Sequence, residues 1–292
     1  MMEVKKGIVL NNLLPEGWGS VYINSGTTHY RNHNLQRVQF SDWDFVPLFH
    51  DNAYVPKHDW RSLSTKESNL LAGNSKRCHN TITIGDISPQ LKELFEQLKI
   101  TDLTSREAVM DRIKSNSTVV KGISEAMQQF LDPLSQGLPF NFNCIAANLP
   151  NLELVACDVS KLHPGFTIPE RKYVGLHNDG TKSMKIHTMH KRGNRMTINL
   201  GKQSRIFYFI NLTLLQAYTM LKRKLTPADE NITIYNIAPL FFKAFPDYPV
   251  FKVIQKPYEF YIAPTDNCFH DGSTLGNSTL DINMVYFGSF TC

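Results

Sequence analysis

The stretch GLHNDG places His177 and Asp179 two positions apart, and a lone histidine, His270, follows in FHDG near the end of the 292-residue chain. On an extended segment, positions i and i+2 point to the same side, so an imidazole and a carboxylate from the first stretch can aim at one point. A second imidazole from His270 would make a set of two nitrogens and one carboxylate oxygen. On one face of an octahedron such a set leaves three positions open, which suits a divalent first-row metal. Composition alone predicts about 0.5 H-x-D triplets in a chain of this make-up, so the weight falls on the setting and not on the triplet. The opposing reading is turn punctuation, because NDG after His177 and HDG at His270 are both strong turn signals. Asp271 is adjacent to His270, faces away on a strand, and is not counted among the donors.

Those three residues need a scaffold, and the texture of the chain changes around residue 150 to supply one. Beyond it, short β-type runs alternate with turns: NLELVACDVSKL, KYVGLH, RMTINLG, RIFYFINL, ITIYNI, FKVIQK, YEFYIAP and LDINMVYFGSF. One helical segment, LTLLQAYTMLKRKLT, interrupts them. So many strands in so short a span suit an antiparallel sandwich or barrel, a jelly roll of the cupin type among them. RMTINLGKQSRIFYFINL reads as a hairpin turning at Gly201 to Ser204. Before residue 150 the first third is rich in His, Asn and Trp and shows no clear period until residue 89. Three amphipathic helices then follow: SPQLKELFEQLKI with Ser88 as N-cap and Pro89 at the first turn, TSREAVMDRIKSN with a capping pair from Thr104 to Glu107, and VVKGISEAMQQFLDPL ending near Pro133. The reading is one unit, with residues 1–149 a partly helical support and 150–292 a β core whose face the helices cover.

This order of elements resembles the Fe(II)/2-oxoglutarate-dependent oxygenases: a helical N-terminal part, a strand leading to KLHPG, then GLHND, then a late strand with a lone His before the final strand. The resemblance covers roughly residues 150–290 as a pattern of elements, and its specific motif is three residues. It implies a double-stranded β-helix fold, with His177, Asp179 and His270 as the iron ligands. It also implies 2-oxoglutarate and O2 as cosubstrates, hydroxylation of an unactivated C–H bond as the reaction, and succinate and CO2 as coproducts. Asp179, where a halogenating relative would carry Gly or Ala, speaks for hydroxylation.

The chain departs from the commonest family pattern, which places a carboxylate-binding Arg about ten residues after the distal His. No Arg or Lys follows His270. A minority of the family supplies the cation from the fourth core strand, and there this chain has Arg205, on the same face as Phe207 and Phe209 by alternation. A buried guanidinium needs a partner, and a dicarboxylate is one. The opposing reading makes Arg205 an exposed hairpin residue, with Arg195 and Lys202 then sharing the anchoring role. Asn283 in the final strand is a further candidate to reach the cosubstrate.

Other groups read as structure or surface. His187 and His190 belong to an exposed basic loop after the H-x-D stretch. His50, His58 and His79 sit beside Asp51, Asp59 and Cys78 with no third group at metal-like spacing. Phosphate-binding loops, dinucleotide fingerprints and serine-hydrolase elbows are absent. Lys and Arg number 31 against 26 Asp and Glu, a mild +5 spread along the chain that points to no nucleic acid partner. No apolar run approaches a membrane span, five scattered cysteines suggest free thiols, and the chain reads as cytoplasmic. The expected substrate is a polar small molecule, amino-acid-like or peptidyl, met by the basic loop from Lys182 to Arg195 and the His-rich N-terminal region. Two rivals stay open: a cupin-type metalloenzyme that uses no keto acid, and a metal-free β-sandwich binding module.

Overall fold

In the computed structural model, which describes residues 2–73, 78–160, 162–181, 183–225 and 231–291, the chain is mainly β with helices packed around two larger sheets. Their strands are β1 (Val9–Asn12), β2 (Val21–Ile23), β3 (Arg61–Ser62), β4 (Thr81–Asp86), β5 (Asn141–Asn148), β6 (Asn194–Asn199), β7 (Arg205–Phe209), β8 (Phe251–Gln255), β9 (Glu259–Ala263), β10 (His270–Ser273) and β11 (Asp281–Gly288). The six-stranded sheet runs β1-β4-β9-β6-β11-β5 and the five-stranded sheet β10-β7-β8-β2-β3. All pairings are antiparallel except that of β1 with β4.

Register decides what lies between the sheets, because directly paired residues share a face. Thr197 of β6 pairs with Tyr261 and with Val285, while Phe207 of β7 pairs with Val253 and with Gly272. The Phe207 and Tyr261 rings stack across the gap with centroids 4.1 Å apart, so these faces meet. Val21, Ile23, Ile82, Ile84, Phe209 and Phe251 join them in one buried cluster. Each large apolar side chain sealed there contributes about 1.5–3 kcal/mol. The other face of the six-stranded sheet carries Met196, Ile198, Ile262 and Met284. Of helices α1 (Thr65–Leu71), α2 (Pro89–Gln97), α3 (Arg106–Ser115), α4 (Ser117–Ser135) and α5 (Leu214–Lys224), the second to fourth pack with these through their buried residues. The expected helical cover is therefore present. Ser88 caps α2, and α3 is capped by Ser105 in place of Thr104.

Several expected elements differ. The RMTINLGKQSRIFYFINL stretch is not a hairpin: β6 and β7 lie in different sheets. The Asn199 side chain redirects the chain, donating to Gln203 O and Gln255 O (both 3.0 Å) and accepting from Gly201 N (2.9 Å). ITIYNI forms no strand. Asn236 Oδ1 accepts from Thr233 N at 2.7 Å, closing a turn from which Ile237 opens α6 (Ile237–Ala244), a local bond that outweighs β-branched propensity. KYVGLH pairs regularly only at Lys172–Tyr173. Gly175 then takes φ +83° with the Tyr54 backbone 2.9 Å from where a Cβ would sit, so the strand breaks there. NLELVACDVSKL likewise pairs regularly only at Cys157–Asp158. The boundary at residue 150 does not separate support from sheet, because β1 to β5 precede it and belong to the two sheets. Cys144, Cys157 and Cys268 are free. The Cys78 side chain, Cys292 and Lys182 lie outside the described residues. No helix among the described residues is long and apolar enough to cross a membrane.

Candidate metal centre

His177, Asp179 and His270 converge. His177 and His270 exchange backbone hydrogen bonds as an antiparallel pair, His177 N to His270 O at 3.1 Å and His270 N to His177 O at 2.7 Å, which extends the edge of the five-stranded sheet at β10. Paired this way their side chains share a face, and the rings lie 4.8 Å apart. Two residues on, Asp179 N donates to Thr265 O at 3.2 Å, keeping the segment extended. Asp179 Oδ1 is then 3.4 Å from His177 Nε2, and Oδ2 is 3.3 Å from His270 Nε2. One ligand atom from each of the three lies within 4.8 Å of the others, an arrangement able to hold a metal ion.

The surroundings fit that use. His177 Nδ1 lies 3.0 Å from Gly175 O and His270 Nδ1 3.3 Å from Cys268 O, so each ring can donate its Nδ1 hydrogen to a carbonyl and turn a free Nε2 lone pair to the centre. Such outer bonds fix tautomer and ring orientation at histidine metal sites. Burial by itself would lower the His177 pKa, but the hydrogen bond to Asp179 and the nearby Asp271 charge raise it to about 9. Asp179, also buried, is held well below the usual carboxylate range by the two imidazoles. Arg195 Nη1 lies 2.8 Å from Asp179 Oδ2 without hydrogen-bond alignment, and its guanidinium also faces Asp266 at 3.7 Å and the Phe287 ring. Asp271 sits on the opposite face of β10 and approaches only the back of the His177 ring, Oδ2 to Nδ1 3.7 Å. Burial raises its pKa.

Arg205 is 3 % exposed, which rejects the exposed-hairpin reading. It points between the sheets, where Nε faces Asp281 Oδ1 at 3.1 Å and Nη1 reaches Tyr261 Oη at 3.5 Å. Asp281 Oδ2 in turn accepts from Asn148 (2.8 Å) and Asn283 (3.2 Å). Gly272 makes room for the guanidinium: a Cβ there would lie 2.5 Å from Arg205 Nη2. Lys202 points outward to Asp102 and takes no part. His187 is exposed, and His190, also exposed, stacks edge-on against His79.

Two clefts flank the triad. One of about 340 Å³ is lined by Asp179, Arg192, Arg195, Asp266, Met184 and Phe287, and one of about 290 Å³ by His177, His50, Asn52 and Asn178. A third cavity of about 420 Å³ holds Arg106, Arg171 and Asn148 and touches none of the three donors.

Sequence reading missed Asp281 and Gly272, and it missed a second cluster altogether: His33, His58 and Glu153. One signal was present, a glutamate between Leu152 and Leu154 in an otherwise apolar run. The late strand expected at His270 is β10, although HDGS carries no apolar residue to mark it; it is held by β7 on one side and by residues 151–155 on the other, Val155 N to Gly272 O at 3.0 Å and Thr274 N to Leu152 O at 3.0 Å. No family model matches this chain, and neither does any curated protein or solved structure.

Proposed function

We propose that the chain is an Fe(II)/2-oxoglutarate-dependent oxygenase hydroxylating a polar substrate, on a double-stranded β-helix. The observation that carries this reading is the convergence of His177, Asp179 and His270 with both Nδ1 atoms set against backbone carbonyls. Strand order supports it. Counting β5, the His177 segment, then β6 to β11 as eight core strands, the first, eighth, third and sixth share one sheet and the second, seventh, fourth and fifth the other. That alternation between two facing sheets is the order a jelly-roll winding would produce.

His177 Nε2, His270 Nε2 and one Asp179 oxygen would hold the iron. With 2-oxoglutarate and O2, bound iron supplies the oxidation: the keto acid becomes succinate and CO2, and the second oxygen atom converts a substrate C–H to C–OH. The protein's own residues position and exclude. The two carbonyls keep the imidazoles oriented, and Arg195 beside Asp179 restrains the carboxylate. Phe207, Phe209 and Tyr261 wall the inner space against water.

For the cosubstrate's far carboxylate, Arg205 is the inward cation on the fourth core strand. Asp281 stands 281 − 270 = 11 residues after His270, where the commonest pattern has its arginine. The charges are exchanged, with the anion on the last strand and the cation facing it from β7. Arg205 Nη2 has no hydrogen-bond partner among the described residues and is free to donate, while Asn283 fixes Asp281 from the side. The charged rim of the Asp179 cleft, Arg192 and Arg195 against Asp266, suits a substrate carrying both signs, such as an amino acid or peptide.

One observation favours the cupin-type alternative without a keto acid: Asp281 already neutralises Arg205. Anaerobic Fe(II) titration with and without 2-oxoglutarate separates the readings. The oxygenase develops a weak visible charge-transfer band only when both are present. Iron binding with no response to the keto acid supports the alternative, and absence of iron binding rejects both.

A further inference from the structure

We propose that His33, His58 and Glu153 form a second divalent-cation site, of the kind that takes Zn2+ or Co2+, independent of the His177 centre. Glu153 follows β5 in a segment zipped along β10, where Leu152 N donates to Thr274 Oγ1 at 2.9 Å and Ser273 Oγ to Leu152 O at 3.0 Å. Its position is therefore set by backbone, and its side chain is 1 % exposed. A carboxylate buried this deeply needs compensation, and among the described residues no Lys or Arg forms an ion pair with it. Its two oxygens are divided between two imidazoles instead: Oε1 is 2.8 Å from His58 Nε2 and Oε2 is 3.3 Å from His33 Nε2. The rings stand edge to face, 4.5 Å apart, and one ligand atom from each residue lies within 4.8 Å of the others.

Tetrahedral zinc with bonds of about 2.0–2.1 Å holds neighbouring donor atoms roughly 3.3 Å apart. One contact already has that length, and the other must lengthen by a few tenths of an ångström. The His58 side chain is 41 % exposed, leaving an open side for water as fourth ligand. Two imidazoles and a carboxylate suit zinc, cobalt, nickel and copper. Lys252, half-buried over the Trp60 and Tyr22 rings, opposes a cation here through its charge near His58. Neither His33 nor His58 has its other ring nitrogen held by a partner among the described hydrogen bonds, so this site is the weaker of the two.

The test uses the full chain, stripped of metal, with the first centre removed by His177→Ala/His270→Ala. Titration with Co2+, followed by calorimetry and visible absorption, is expected to show one equivalent with the intense d–d bands of a tetrahedral site. Adding Glu153→Gln or, separately, the less buried His58→Ala should lower the affinity at least tenfold at unchanged circular dichroism. No stoichiometric Co2+ in the doubly substituted chain, or equal affinity after both further substitutions, overturns the proposal. Because the first centre is absent throughout, neither outcome bears on the iron reading.

Discussion

The His177 and Glu153 clusters offer the same donors, two imidazoles and one carboxylate, yet they are built in opposite ways. In the first, the two histidines are locked together as a backbone pair and their outer nitrogens lie against carbonyls, so the geometry exists before any ligand arrives. In the second, the carboxylate is the rigid member, and the histidines come from residues 33 and 58 of the N-terminal region. Preorganised ligands lose little entropy on binding, whereas loosely held side chains must be ordered at a cost of about 1–2 kcal/mol each. The donor set alone says what can be bound; the outer contacts say how tightly and how selectively.

Breaking the first cluster should give the largest effect. Asp179→Ala is expected to abolish Fe(II)-dependent turnover and reduce iron affinity beyond detection in the anaerobic titration. Retained hydroxylation would remove the contrast between the clusters. Next in size is Arg205→Ala, which leaves the Asp281 carboxylate buried and unpaired. A loss of about 3–5 kcal/mol in denaturant unfolding is expected, with oxoglutarate affinity reduced and iron affinity kept. An Arg205→Met/Asp281→Leu chain should recover much of the stability and none of the oxoglutarate binding. Gly272→Ala pushes a methyl group against the guanidinium. It should cost about 1–3 kcal/mol and weaken oxoglutarate several-fold in the charge-transfer titration without changing iron stoichiometry.

The smallest effect belongs to the second cluster and depends on pH. In the metal-free chain the hydrogen bond to Glu153 raises the His58 pKa, a contribution complete below about pH 6.5 and lost as pH rises through the folded value. Glu153, despite its burial, is lowered by the two histidines, a contribution complete above about pH 4.5 and lost as pH falls through its folded value. Glu153→Gln should therefore cost most between about pH 4.5 and 6.5, on the order of 2 kcal/mol from its charge-assisted hydrogen bonds. His177, raised to about 9, should give its full contribution below about pH 6.5 and lose it steadily as pH rises from there to about 9. Melting curves of Glu153→Gln and His177→Ala against pH should diverge above pH 7. Parallel curves would mean that the two clusters do not differ in their electrostatics.

Much of the scaffold was legible because its signals are local. The alternation in β6, β7, β8, β9 and β11, the Ser88 cap of α2 and the apolar faces of α2 and α4 are each set by residues a few positions apart. The i, i+2 spacing of His177 and Asp179 is local too. Where pairing outvoted pattern, reading failed. ITIYNI has strand composition but turns into a helix, and HDGS has turn composition but forms the edge strand of the second sheet because β7 and residues 151–155 both bond it.

By itself the sequence determined that His177 and Asp179 can face one point, that Arg205 shares a side with Phe207 and Phe209, and that β-rich and helical regions coexist. Only the tertiary structure decided that His270 stands opposite His177, that β6 and β7 part into different sheets, and that Arg205 meets Asp281. It alone joined His33 and His58 to Glu153. Alternation fixes direction along a strand, but the partner across a sheet or a core is chosen by the whole set of pairings and burial terms at once, and no short window of sequence contains that sum.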